Sequence, residues 1–155
     1  MCDLVIKNIE ADMIDIALKL VEKVFMEFNA PDYAQEGIDE FKSQIIESKD
    51  FKSKFDTGEQ IMIGAFNNDK IIGILSISVR NHISLLFVDK NYHKNKVATK
   101  LLNEIIIQSR LKGISKIKLN SSPYALPFYL KFGFVKTDSE KIRNGIQYTP
   151  MELNL

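Results

Sequence analysis

The stretch of this 155-residue chain with the clearest chemical potential is Asp89-Lys-Asn-Tyr-His-Lys-Asn-Lys-Val-Ala-Thr-Lys100. It carries four lysines and one aspartate, a net of +3 with His93 neutral. It lies between a strand-like segment and a helix-like one. A helix N-terminus presents unpaired backbone N–H groups and the positive end of the helix dipole, so it suits an anion, phosphate above all. Lys94 and Lys96 add charge where a phosphate would sit. The same lysines also read as a solvated charge run, the commoner fate of such residues. No glycine pattern of a triphosphate-binding or Rossmann loop is present. Metal and disulfide chemistry have little material: Cys2 is the one cysteine, and His82 and His93 are eleven residues apart without H-x-x-x-H spacing. No intrachain disulfide and no metal cofactor are expected.

The elements that must position this loop follow from periodicity. Leu4–Ile9 is strand-like. Asp12 or a near neighbour can cap a helix running to about Asn29, with Ile14, Leu18, Val21, Phe25 and Phe28 on one face. Ala30-Pro31-Asp32 ends it, because the residue before proline avoids helical angles. A second helix spans about Gln35–Ser48. Gln60–Phe66, Ile71–Val79 and His82–Val88 read as an antiparallel meander, with Asn67-Asn68-Asp69 and Asn81 as turns. Lys96–Lys112 is helical, Lys116–Leu119 a strand, Ala125–Lys131 a short helix, and Phe134–Thr137 and Gln147–Leu153 closing strands. The order β-α-α-β-β-β-α-β-α-β-β predicts one α+β domain over residues 1–155, with a mixed, mostly antiparallel sheet and helices on both faces.

Charge is divided along the chain. The formal net charge is +1, yet residues 1–50 hold twelve acidic side chains against five lysines, and the rest carries the opposite excess. A near-neutral total without a recognition-helix pattern or an aromatic platform argues against a nucleic-acid partner. Apolar runs are far short of the roughly 18 residues of a membrane span, and the N-terminus is not signal-like, so no membrane partner is expected and the cytoplasm is the expected location.

Two segments resemble the motifs of the GNAT (GCN5-related N-acetyltransferase) family. Leu86–Leu102 is similar to its coenzyme A motif, in which a strand is followed by Gln/Arg-x-x-Gly-x-Gly/Ala and a helix. His93 stands at the Gln/Arg position, Lys96 at the first Gly and Ala98 at the second. Ser122–Phe134 resembles the second signature, with Ala125, Phe128, Tyr129, Gly133 and Phe134 matching and Ser122 replacing Asn. Lysine has a Cβ, so a left-handed backbone at Lys96 would be strained.

The resemblance implies an N-acetyltransferase that moves an acetyl group from acetyl-CoA to a primary amine of a small molecule or peptide, by direct attack in a ternary complex. It implies that His82–Val88 and Lys116–Asn120 splay around the pantetheine, with the Phe87 and Val88 backbone bonding its amides. His93, Lys94, Asn95, Lys96, Val97, Ala98 and Thr99 would receive the pyrophosphate, with Asn120 and Ser122 completing the coenzyme site. Tyr129 would face the sulfur as a general acid; by spacing alone it reads first as a core residue beside Phe128, Phe132 and Phe134, and the motif match reverses that. Many relatives carry a glutamate base where Ser84 stands here. By strand alternation His82 and Ser84 share a face with Leu86 and Val88, so His82, with an ordinary pKa near ~6.5, can serve as base directly or through water, or can be an exposed strand-start residue. The two N-terminal helices would build the acceptor side from Phe25, Phe28, Asp32 and Tyr33 with Ser84, and Tyr148 would add to the wall. The acidic excess of that arm points to a cationic acceptor. The alternative is a non-catalytic coenzyme A-binding regulator. Exposed strand edges in this fold make a homodimer a further expectation.

Overall fold

The computed structural model describes residues 4–155. The chain runs β1 (Leu4–Asn8), α1 (Ile14–Val24), α2 (Gln35–Phe41), α3 (Lys49–Thr57), β2 (Gln60–Asn67), β3 (Lys70–Ser78), β4 (His82–Val88), α4 (Val97–Leu111), β5 (Lys116–Ser121), α5 (Leu126–Phe132), β6 (Val135–Lys136), β7 (Lys141–Arg143) and β8 (Ile146–Asn154). The strands form one mixed sheet in the order β1-β2-β3-β4-β5-β8-β6, with β7 paired to β8. Only the β4–β5 pairing is parallel among the described strands, and α4 is the crossover that such a pairing needs.

Two apolar layers hold the sheet between helices. Ile14, Leu18 and Val21 of α1 and Phe51 of α3 pack on Met62, Phe66, Ile74 and Leu85. On the other face Val97, Leu101, Leu102 and Ile105 of α4 pack on Ile63, Ile72, Leu75 and Val88, joined by Tyr129 of α5. The expected α+β architecture with helices on both faces is therefore present.

Several local expectations are corrected. Asp12 does not cap α1: it lies in a short 3-10 turn, and the N-cap is Met13, without a side-chain bond. The helix reaches Asn29 as expected, but its end is a π-helical turn over Phe25–Asn29, and the reason for the end differs: Ala30 keeps helical angles, and Pro31 sits in the first turn of a 3-10 segment where its missing N–H costs nothing. The chain leaves helical geometry at Tyr33. Helix α3 and strand β7 are additions to the predicted order. Helix α3 is mostly polar, which hides it from a search for apolar stripes. Its signals are local: Ser48 Oγ accepts from Phe51 N at 3.0 Å, Phe51 and Phe55 are four apart, and Gly58 closes it in a left-handed conformation.

Strand β7 belongs to a two-residue hairpin, Arg143 opposite Ile146, turning on Asn144 and Gly145 at φ 50° and 82°. Asn-Gly is the residue pair such a turn favours. The turn is pressed onto α2. A Cβ on Gly37 would lie 2.2 Å from the Gly145 carbonyl oxygen, and one on Gly145 would lie 2.4 Å from the Gly37 nitrogen. Asn144 Nδ2 donates to Glu40 Oε2 at 2.8 Å and Tyr33 Oη to the Gln147 carbonyl at 3.3 Å. Gly37→Ala is expected to lower stability by about 1–3 kcal/mol through this overpacking, read as a reduced urea midpoint at unchanged slope.

Candidate active site

Strands β4 and β5 are paired at His82–Lys118 and Ile83–Leu119 and nowhere beyond. Past that point they diverge. The wedge between them opens into a cleft of about 810 Å³, within the size range of small-molecule sites. One residue after the last pair, β4 carries a bulge: Ser76 faces Leu85, but Ile77 faces Ile83, so Ser84 is inserted. A bulge re-aims side chains. Ile83 packs with Val88 against the α4 layer, while Leu85 packs against the α1 layer. The simple alternation that placed His82 and Ser84 on the face of Leu86 and Val88 is broken here. Ser84 reaches the cleft wall and its Oγ accepts from Gln60 Nε2 at 2.9 Å.

The basic loop is built around Asp89. This buried residue donates its N–H to the Ile72 carbonyl at 2.8 Å, and its Oδ1 accepts from Asn91 N at 2.9 Å. Residues Lys90–Asn95 then make a 3-10 segment that delivers Lys96 at the start of α4. Lys96 does adopt the left-handed conformation, at φ 56° and ψ 34°, and caps α4 without any side-chain bond. The N–H groups of Val97, Ala98 and Thr99 are those that helix geometry leaves unpaired, and all three residues line the cleft with Lys96 and His93. His93 Nε2 donates to the Val88 carbonyl at 2.7 Å, and its ring packs 4.9 Å from Phe28, so it braces the loop against β4 and the π-helical turn that follows α1.

Of the other residues expected in a coenzyme site, Phe87, Val88, Asn120 and Ser122 line the cleft, whereas Lys94 and Asn95 are exposed and do not. Tyr129 lines it from the buried side of α5, edge-on to Phe128 and Phe134. Burial pushes its phenol well above the ordinary value of 10, so the hydroxyl stays protonated. His82 is not a lining residue. It stands at the closed end of the wedge beside Lys118, and burial, then that lysine, hold its imidazole below the ordinary 6.5.

On the acceptor side, Phe25, Tyr33 and Ser84 line the cleft; Phe28 and Asp32 do not. Phe28 instead backs the wall through His93 and Tyr124, and Asp32 is exposed. Phe25 stacks on Phe41 at 3.9 Å and tilts against Tyr33 at 5.7 Å. The Tyr33 phenol is pushed up to about 12 by burial first, then by Asp32 and Glu140. Tyr148 lines the cleft as expected. Sequence reasoning missed Glu40, Phe41, Gln44, Arg143 and Ile146, which line it from α2, its π-helical extension and the β7–β8 hairpin. The Asn144-Gly145 pair was the signal that could have located the hairpin.

The acidic arm barely reaches the cleft. Asp15 pairs with Lys52 at 3.1 Å, Glu27 with Lys90 at 3.2 Å and Asp50 with Lys54 at 3.8 Å. Among the described acidic residues of the arm, Glu40 alone is a lining residue. No group of three or more His, Cys, Asp or Glu placed to hold a metal occurs among the described residues. No described helix is long and apolar enough to cross a membrane.

A wedge between parallel strands, an open helix N-terminus at one end and a buried phenol beside it thus share one cleft. The family model for the acetyltransferase (GNAT) domain matches residues 29–155, and the chain belongs to that family. No curated protein sequence matches it significantly. Among solved structures, a GCN5-related N-acetyltransferase from Rhodopseudomonas palustris is similar with TM-score 0.82 at 18% identity, covering 100% of this chain and 98% of its own. The PaiA N-acetyltransferase of Thermoplasma acidophilum, solved with coenzyme A, has TM-score 0.80 at 19% identity, covering 99% of both chains. An aminoglycoside 6'-N-acetyltransferase complexed with coenzyme A has TM-score 0.66 at 13% identity, covering 97% of this chain and 96% of its own.

Two outcomes follow from the site. Lys96→Gly is expected to raise stability by about 1 kcal/mol, by removing the Cβ from a left-handed position, measured by urea unfolding. For His82, the depressed folded pKa means the unfolded chain binds more protons once pH falls below the ordinary 6.5. Stability contributed by this residue is present above that pH and is lost as pH drops through and below it. His82→Gln is expected to flatten the fall of the urea midpoint between about pH 7 and pH 5.

Proposed function

We propose that residues 1–155 act as one acyltransferase domain that moves an acetyl group from acetyl-CoA to a primary amine of a small molecule or peptide, by direct attack within a ternary complex. The observation that carries this reading is the divergence of β4 from β5 after two residue pairs, beside Tyr129 and the start of α4. Backbone groups of β4 on the open side lack a strand partner there, so a pantetheine chain with its amides can take that place. The N–H groups at the start of α4, with Lys96, receive the pyrophosphate. His93 contributes by bracing the loop. Lys94 and Asn95, exposed beside it, add charge and polarity at the outer edge.

The amine nitrogen attacks the thioester carbonyl carbon. A C–N bond forms, and the carbonyl electron pair moves to oxygen, where N–H groups of the open β4 edge near Phe87 and Val88 stabilise the oxyanion. Collapse breaks the C–S bond and the sulfur leaves as a thiolate. A thiol resembling cysteine has a pKa near ~8.5. Tyr129, held well above 10, keeps its proton and donates a hydrogen bond to the departing sulfur rather than transferring the proton outright. The nitrogen sheds its proton to water in the cleft. His82, neutral at pH 7 and two residues before Ser84, takes it through water at the closed end of the wedge. Glu40 faces the incoming ammonium, which is the support the acidic arm gives to a cationic acceptor group. Phe25, Tyr33 and Ser84 shape that side, backed by Phe28 and with Asp32 at its rim.

A second reading, a coenzyme A-binding regulator, draws support from Ser84 at the position of a carboxylate base and from the strained Lys96. The two separate on thiol release from acetyl-CoA across an amine panel. Transfer predicts turnover in wild type and a fall in kcat of about 10²-fold in Tyr129→Phe, with little change in KM for acetyl-CoA. Coenzyme A binding without turnover on any amine favours the regulator.

A further inference from the structure

The acceptor half of the cleft contains two opposite charges that do not pair with each other. Glu40 comes from α2 and Arg143 from the end of β7. Every ion pair among the described residues is made by a lysine, so the Arg143 guanidinium has no carboxylate within the 4.0 Å that defines one. The Glu40 carboxylate is engaged elsewhere: Oε2 accepts the Asn144 amide at 2.8 Å.

Arg143 is also held in place at the backbone. It is the last residue of a hairpin strand whose tight Asn144-Gly145 turn is docked backbone to backbone on Gly37. The returning strand is tied to Tyr33 through the Gln147 carbonyl. A guanidinium fixed at its base beside a largely aromatic wall is suited to one kind of ligand group. Its planar fork of donors matches a carboxylate with two parallel hydrogen bonds, and little backbone order remains to be lost on binding.

We propose that the amine acceptor carries a carboxylate, as an amino acid or a dipeptide does, and that Arg143 binds it while Glu40 faces the ammonium. This rests on the transferase reading above and sharpens it. A simple diamine presents a second cation to Arg143 and is disfavoured; a zwitterionic amine satisfies both poles. Neutralisation of the carboxylate as an amide leaves the guanidinium without its partner.

The test is steady-state thiol release with acetyl-CoA and three matched sets of acceptors: free amino acids and dipeptides, their C-terminal amides, and diamines of similar length. Free acids are expected to exceed their amides in kcat/KM by about tenfold or more, the scale of a charge-assisted pair. The amino-acid and dipeptide arms separate a single-residue acceptor from a longer one. In Arg143→Gln the acid-to-amide ratio of KM values should collapse toward one, with the loss in KM rather than kcat. Arg143→Lys should restore part of the ratio. Amides or diamines turning over as well as the acids, or Arg143→Gln changing KM for acids and amides alike, would overturn the assignment while leaving the transferase reading intact. No thiol release with any amine, from protein that still binds coenzyme A, overturns the transferase reading and this inference with it.

Discussion

The brevity of the β4–β5 pairing governs the rest of the molecule. Two parallel residue pairs hold the strands together, and everything beyond them is a wedge. Unpaired strand edges are costly when buried in apolar surroundings, so the divergent edges stay open to solvent or to a ligand with backbone-like polar groups. The bulge at Ser84 sits one residue past the last pair, where strand twist must change most sharply. Helix α4 packs on β2, β3 and β4 on one face, and its first residues, Val97, Ala98 and Thr99, line the cleft. The cleft thus comes from one break in one ladder, with the start of α4 and the buried Tyr129 of α5 on its lining.

Electrostatics looks different in three dimensions than along the chain. The acidic first 50 residues suggest a negatively charged acceptor wall, but several of those carboxylates are satisfied locally or by the basic body, as Glu27 is by Lys90 and Asp15 by Lys52. These are largely exposed pairs, which contribute little stability each, but they remove charge from the cleft. What remains facing the cleft is specific: Glu40 and Arg143 on one side, Lys96 and the helix N-terminus on the other.

The acceptor wall depends on contacts far apart in sequence. The Phe25–Phe41 stack joins two helices, and the Gly37–Gly145 contact joins α2 to a hairpin more than 100 residues later. Neither glycine needs a side chain for chemistry; each is small so that two backbones can touch. The hairpin is thereby part of the cleft wall, with Arg143 and Ile146 on its lining.

The sequence by itself determined the order of most elements, because periodicity of 3.6 or 2 is written locally in residues such as Ile14, Leu18 and Val21 or in the β2–β4 meander. It also determined the coenzyme-side motif, whose residues are contiguous: Lys96, Val97, Ala98 and Thr99 needed only a strand before them and a helix after. Helix α3 and strand β7 escaped, since their signals were a single cap and a single turn rather than a stripe. Tertiary structure alone decided the acceptor side. A bulge inserts one residue and reverses which side chains share a face, so Ser84 entered the cleft and His82 stayed at its closed end. A π-helical turn rotated Phe28 and left Asp32 outside. Arg143 and Glu40 line one cleft because two glycines let a hairpin close onto a helix, a contact between distant backbones that no local pattern of side chains encodes.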